Sequence, residues 1–256
     1  MAESFVLCHT EARVARIQIS RLDKKNALTA DMYQALADAL RAAEADAQVR
    51  VIFIHGSAEC FCAGNDLKDF LEKPPRGDAS PLFQFLLAIS TATKPIVAAV
   101  GGPAVGIGTT MLLHCDLVYA TPEARFQLPF VPLGITPEAA SSYLLPLNAG
   151  FQRAAELLLL GQPFDVTKAV AAGIINEIVD KATLIERAQA VALQLAALPP
   201  TSVRLTKALM RKRHAETVQT HMHEESLTFR ERLNSPEAKE AMTAFFEKRK
   251  PDFSRF

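Results

Sequence analysis

Gly101-Gly102-Pro103-Ala104-Val105-Gly106-Ile107-Gly108-Thr109-Thr110 is the stretch on which the chain turns. Pro95 to Val100 before it is an unbroken apolar run, and Met111 to Cys115 after it has an apolar helical pattern. A short β-branched run of this kind reads as a buried strand. Glycines at 101, 102, 106 and 108 let the backbone turn sharply and let another group approach it closely. The helix behind them begins with free backbone N–H groups at the positive end of its dipole. Strand, glycine turn and helix start together make a place to hold an anion or an oxyanion. Without a ligand the same pattern is a tight strand-to-helix connection.

A second stretch repeats the logic. The apolar run Val51 to His55 ends at Gly56-Ser57 and leads into Phe61-Cys62-Ala63-Gly64-Asn65-Asp66-Leu67, where a glycine precedes another helix start. Strand and helix alternate from 51 to 120, which indicates crossover units and a largely parallel sheet, an α/β architecture. Parallel strands of one sheet deliver both turns to the same edge, where ligands sit in such folds. Two backbone N–H groups can then converge on one oxygen.

Length and composition bound the reading. The chain has 256 residues, 49% hydrophobic and 22% charged, enough for a sizeable core. Lys plus Arg equals Asp plus Glu, 28 each, so charge gives no argument for a nucleic-acid partner or a membrane surface. The apolar runs are too short to span a bilayer. The first ten residues lack the pattern of a signal peptide, and Ser254-Arg255-Phe256 is not the usual peroxisomal tripeptide. The expected location is cytoplasmic. Cys8, Cys60, Cys62 and Cys115 form neither a disulfide framework nor a zinc pattern, and His221 and His223 point different ways on a helix. No metal site is expected.

Around this centre, Phe5 to His9 and Val14 to Ser20 read as a strand pair turning at Glu11-Ala12-Arg13. Thr29 or Asp31 caps a helix to about Ala45, and Pro81 to Thr91 is helical. The charged, proline-bearing segment 71–80 is a loop. Cys115 to Ala120 is a further strand, and 174–179 a short one. Helices are expected at 137–145, 150–160, 165–172, 181–197, 201–214, 217–232 and 236–248. Pro199-Pro200 divides a core, 1–198, from a terminal helical portion, 199–256. Met222, Leu227, Met242, Phe245 and Phe246 in that portion suit packing on a partner subunit or on the core.

The motifs FCAGNDL, KPIVAAVGGPAVGIGTT, CDLVYA and the ending AFFEKRKPDF resemble the crotonase superfamily, the enoyl-CoA hydratase/isomerase family. The resemblance runs from the strand at residue 14 to the end of the chain. It implies a spiral of β-β-α units, a C-terminal helical trimerisation region belonging to the same fold, and a coenzyme A thioester as substrate. In this family the thioester oxygen lies between two backbone N–H groups. By position these belong here to Asn65 and Ile107, where the family often has Ala and Gly. Only the N–H is used, so both side chains are tolerable.

The hydratases of the family use two glutamates, and the matching positions here are Thr110 and Phe130. Neither can orient and activate water as a carboxylate does. The one acidic residue between Phe126 and Gln152 is Glu138, in PLGITPEAASSYLLP. That segment resembles the Δ3,Δ2-enoyl-CoA isomerases of peroxisomal type, which carry one catalytic glutamate there. Ala139 stands where they commonly have Gly. Locally, Thr136, Pro137 and Glu138 also match the cap, first position and first-turn acid of a helix. Burial in an apolar wall raises the pKa of such a carboxyl, and a helix N-terminus lowers it.

The resemblance thus implies isomerisation of a 3-enoyl-CoA to the 2-trans-enoyl-CoA of fatty acid β-oxidation by a single-glutamate proton shift. It implies Lys24, Lys25 and, in the final helix, Lys248 as contacts of the nucleotide end of coenzyme A, and Ala63, Asp66 and Leu67 along the pantetheine. Locally the lysines are surface charges. No cofactor is expected beyond the coenzyme A of the substrate, and a homotrimer or a dimer of trimers is. The same two-donor site also supports hydration, thioester hydrolysis and carbon–carbon cleavage, or acyl-CoA binding without turnover.

Overall fold

Residues 5–256 are described here from a computed structural model. Strands β1 (Val6–Glu11) and β2 (Val14–Ile19) form an antiparallel hairpin whose turn puts Ala12 and Arg13 in the left-handed region. Helix α1 (Ala30–Ala45) follows, its N-terminus capped by the Thr29 hydroxyl, which accepts from Met32 N. Next come β3 (Val51–His55), a short α2 (Leu67–Glu72), α3 (Pro81–Thr91) and β4 (Ile96–Val100). The central stretch forms β5 (Pro103–Val105), α4 (Ile107–Thr110) and a 3₁₀ turn at Met111–His114. Beyond it lie β6 (Leu117–Ala120), β7 (Arg125–Gln127), α5 (Ser141–Ala149), α6 (Phe151–Leu160), β8 (Phe164–Asp165), α7 (Val166–Ala171) and β9 (Glu177–Ile178). Four helices close the chain: α8 (Leu184–Ala197), α9 (Pro200–Lys212), α10 (Ala215–Leu233) and α11 (Pro236–Phe246).

The main sheet runs β1-β2-β3-β4-β6-β9, parallel throughout except for the first pair. Its two faces feed two separate cores, because successive strand residues point to opposite sides. Ile17, Ile52, Ile54, Ile96 and Ala98 face α1 and α3 in the larger core. Val14, Val51, Phe53, Val97 and Ala99 face Leu184, Ala188 and Ala192 of α8 in the smaller one. Strands β3 and β4 are buried at every position, which is why they are apolar without alternation.

A second sheet, β5-β7-β8, was not expected from local pattern. Its strands are two or three residues long, too short to show a period. Its first strand, β5, follows β4 through Gly101-Gly102 and bridges to Cys62 at Ala104, joining the two glycine turns. Two further expectations are corrected. The helix expected from 137 begins only at Ser141, because Ala139 and Ala140 are left-handed (φ 62° and 54°). Lys248, expected within the last helix, lies two residues beyond its end with φ 55°.

Candidate active site

The two glycine turns are bolted to one another. Cys62 N donates to Pro103 O at 3.0 Å and Val105 N to Cys62 O at 2.9 Å, a parallel bridge between the segments. Glycine is required by contact: a Cβ on Gly108 would lie 2.4 Å from Cys62 O. At Gly64 the backbone is itself left-handed, φ 95°. A third segment locks onto the first turn. Asn26, fully buried, donates through Nδ2 to Cys60 O and Phe61 O and accepts from Arg21 N. Asn26 was not singled out in the sequence, where a buried asparagine in a polar loop has no local signature.

The ladder of backbone bonds passes by the two expected donors. Leu28 N bonds Gly64 O, Asp66 N bonds Leu28 O, Gly106 N bonds Gln127 O, and Thr109 and Thr110 N bond Gly106 O. Among the described residues no acceptor takes the N–H of Asn65 or Ile107. The side chain of Asn65 accepts a hydrogen bond from the hydroxyl of buried Tyr33 on α1.

A cavity of about 580 Å³ opens beside the first turn. Lys24, Ala63, Asn65, Asp66 and Leu67 line it on one side, with Gly106 of the second turn and Phe130 beyond β7. Glu138 lines it from its own segment, and Phe229, Met242, Phe245 and Phe246 close it from α10 and α11. Ile107 is buried directly behind Gly106 rather than on the cavity wall. Asp66 is committed twice: it accepts from Arg21 Nη1 at 2.8 Å and caps α2 through Lys68 N and Asp69 N. Lys25 and Lys248 are exposed and do not line the cavity; Lys25 serves locally through its carbonyl, which accepts from Ala63 N. Thr110 is buried away from the cavity, whereas Phe130 is part of its wall. Met242 is buried in this chain, while Leu227, Phe245 and Phe246 stay largely exposed.

Among the described residues Asp66 and Glu138 are the two acids lining the cavity, and Asp66 is already paired with Arg21. Glu138 is 3% exposed, and neither carboxyl oxygen has a hydrogen-bond partner. Burial pushes its pKa from 4.5 up to about 8, with the nearby Glu225 adding to the rise. The opposing pull of a helix N-terminus is absent because Glu138 stands before the helix, not in its first turn. The expected Thr136 cap is also overturned: its hydroxyl is buried without a partner. The cap comes instead from Glu225 on α10, which accepts Ala140 N at 2.6 Å, Ser142 N at 2.9 Å and the Ser142 hydroxyl. His114 bonds Ala139 O through Nε2 at 2.8 Å, and Ser141 Oγ bonds Glu138 O at 2.6 Å. Two successive left-handed alanines cost about 1–2 kcal/mol each, and these contacts hold them in place.

Comparison with known proteins agrees with this architecture. Residues 9–255 match the family described as enoyl-CoA hydratase/isomerase. Over 246 residues the chain is 37% identical to enoyl-CoA delta isomerase 2 of Rattus norvegicus, covering 94% of this chain but 63% of that protein. The chain thus spans less than two thirds of that relative's length. It is 34% identical to a probable enoyl-CoA hydratase of Bacillus subtilis, covering 89% and 90% of the two chains. The crystal structure of an enoyl-CoA hydratase/isomerase from Pseudoalteromonas atlantica superposes with a TM-score of 0.93 at 42% identity, covering 98% of this chain and all of that one. The fold is that of the crotonases, and the chain belongs to the enoyl-CoA hydratase/isomerase family.

Proposed function

We propose that the protein isomerises 3-enoyl-CoA thioesters to 2-trans-enoyl-CoA with Glu138 as its single base. The observation that carries this reading is the unpartnered, buried carboxyl of Glu138 in the wall of the cavity, where the second hydratase position is held by Phe130. The other hydratase position is Thr110, which lies off the cavity. A lone carboxyl with a pKa near 8 is a stronger base, once ionised, than an ordinary glutamate. The delta isomerase name of the Rattus norvegicus relative points the same way; the Bacillus subtilis relative bears the name of a hydratase.

In this mechanism Glu138 takes a proton from carbon 2 of the bound 3-enoyl thioester. The electrons pass to the thioester oxygen, giving a dienolate whose charge is held by the N–H groups of Asn65 and Ile107. Such a pair of preorganised donors contributes about 3–4 kcal/mol per donor to the transition state. Glu138 then returns the proton to carbon 4, and the double bond moves into conjugation. One base serves both carbons because they lie on one side of the extended chain. The chemistry is a proton transfer and calls for no metal or redox cofactor. Lys24, Ala63, Asp66 and Leu67 border the coenzyme, with Lys25 and Lys248 at its nucleotide end, and the protein assembles as a trimer or a dimer of trimers.

The test is the absorbance of the conjugated enoyl thioester. Isomerisation makes it grow with a 3-enoyl-CoA and leaves it unchanged with 2-trans-enoyl-CoA. Loss of absorbance with 2-trans-enoyl-CoA, and no gain with the 3-enoyl substrate, would identify a hydratase instead.

A further inference from the structure

Glu225 is a second buried carboxylate near the cavity, 8% exposed, and it does not line it. It comes from α10, in the terminal helical portion, and reaches back 85 residues to the turn that carries Glu138. Oε2 accepts from Ala140 N and Oε1 from both the N–H and the hydroxyl of Ser142. Burial raises its pKa, while these hydrogen bonds favour its charged form. Both Glu225 oxygens are partnered, whereas neither oxygen of Glu138 is.

We propose that Glu225 is a positioning residue for the isomerisation: it holds the left-handed Ala139–Ala140 corner from one side, as His114 holds it from the other, and so aims the Glu138 carboxyl into the cavity. The proposal rests on Glu138 as the base. The corner is where a chain of L-residues resists most, since Ala139 stands at φ 62° and Ala140 at φ 54°. An ordinary helix start would place residue 138 in a first turn and bring its carboxyl under the helix dipole. The corner avoids this, and its three open donors need an acceptor from elsewhere in the fold. Glu225 supplies both its oxygens. A carboxylate in this place also acts on Glu138 through space, as a like charge.

The groups facing Glu225 are few. On its own helix His221 acts on it electrostatically, its ring stacked on Tyr143 at 4.8 Å. From the turn comes Glu138, and from α5 the neutral Ser142. Glu138 is faced in addition by Tyr33 of α1 and by Cys62, both kept neutral by burial. Replacing Glu225 by glutamine removes the one carboxylate neighbour of Glu138 among these groups. The acid limb of the rate profile, on which the base must lose its proton, then moves to lower pH.

The test compares Glu225→Gln, Ser142→Ala and Glu138→Gln with wild type, using thermal melting, steady-state kinetics with a 3-enoyl-CoA, and the pH dependence of kcat. Glu225→Gln is expected to lower the plateau kcat by about 10- to 100-fold with KM within about 3-fold, the pattern of a misaimed catalytic group. Its acid limb shifts downward. A helix cap with no role in aiming Glu138 would lower the melting temperature and leave the plateau kcat where it was, even though loss of the like charge still moves the limb. Ser142→Ala removes a single side-chain donor and lowers plateau kcat by about 3-fold; it carries the test if the glutamine variant does not fold. A Glu225→Gln or Ser142→Ala enzyme with a wild-type plateau kcat, wherever its limb lies, beside an inactive Glu138→Gln, overturns the clamp alone. Turnover surviving in Glu138→Gln overturns the base, and with it the purpose of the clamp.

Discussion

His114 Nε2 and the carbonyl oxygen of Ala139 are 2.8 Å apart, both buried, and this bond holds one end of the turn that carries Glu138. A carbonyl accepts only, so the ring must carry its proton on Nε2. Burial drives the His114 pKa down to about 4, so at neutral pH the imidazole is uncharged and donates this one proton. His114→Ala strands the Ala139 carbonyl and leaves a hole in the core. A loss of about 2–4 kcal/mol is expected in urea unfolding, together with a drop in kcat. A variant as stable and active as wild type would show that the turn stands without the histidine.

With Glu138 as the proposed base, its protonation sets the expected pH dependence of turnover. With a pKa of about 8, the Glu138 carboxyl is mostly protonated at neutral pH. kcat/KM should rise roughly tenfold per pH unit below that point and level off above it. A profile already level from pH 6 upward would mean that the carboxyl titrates as an ordinary glutamate.

The same group links stability to pH with a definite sign. Between its ordinary value of 4.5 and about 8, the folded chain keeps a proton on Glu138 that the unfolded chain has released. The contribution is fully present below 4.5, and stability from this group falls as pH rises through the window to about 8, by on the order of 1 kcal/mol per pH unit. Glutamine stays neutral throughout. Glu138→Gln should therefore melt at a higher temperature than wild type at pH 8 and match it near pH 4. Equal melting temperatures at both pH values would contradict a buried, unpaired carboxyl.

Gly108→Ala tests the joint between the two turns. Its φ is ordinary, but the new methyl would sit 2.4 Å from Cys62 O, a backbone atom in a fully buried segment. The turns must part, moving both proposed donors. We expect about 1–3 kcal/mol of destabilisation by chemical denaturation and a fall in kcat larger than the change in KM. Unchanged kcat would separate the turns from the chemistry.

Much of this was legible in the sequence, and the remainder was hidden for physical reasons. VIFIH and IVAAV announce buried parallel strands because both faces of the sheet are covered, and the parallel order then brings the glycine turns to one edge. Glu138 stands out as the one acid in a long apolar segment. Its local setting was misleading: Thr136-Pro137-Glu138 matches a helix start, yet the helix begins at Ser141, because a carboxylate 85 residues away provides the cap. Glu225 itself lies in His-Met-His-Glu-Glu-Ser, where nothing separates it from its exposed neighbour Glu224. The second sheet was hidden because each of its strands pairs with a segment far along the chain, Ala104 with Phe126 and Phe126 with Phe164. Asn26 is a similar case, a loop residue whose partners, Cys60 and Phe61, are visible only once the fold brings them over it.

The most direct measurement is turnover of a 3-enoyl-CoA by Glu138→Gln, with thioester binding followed in parallel by calorimetry. Glutamine keeps the size and neutrality of the protonated side chain but cannot accept the proton. The account predicts loss of turnover by at least about a thousandfold, with the Kd for the thioester within a few-fold of wild type. Turnover near the wild-type rate with intact binding would contradict it, and would place the proton transfer on another group.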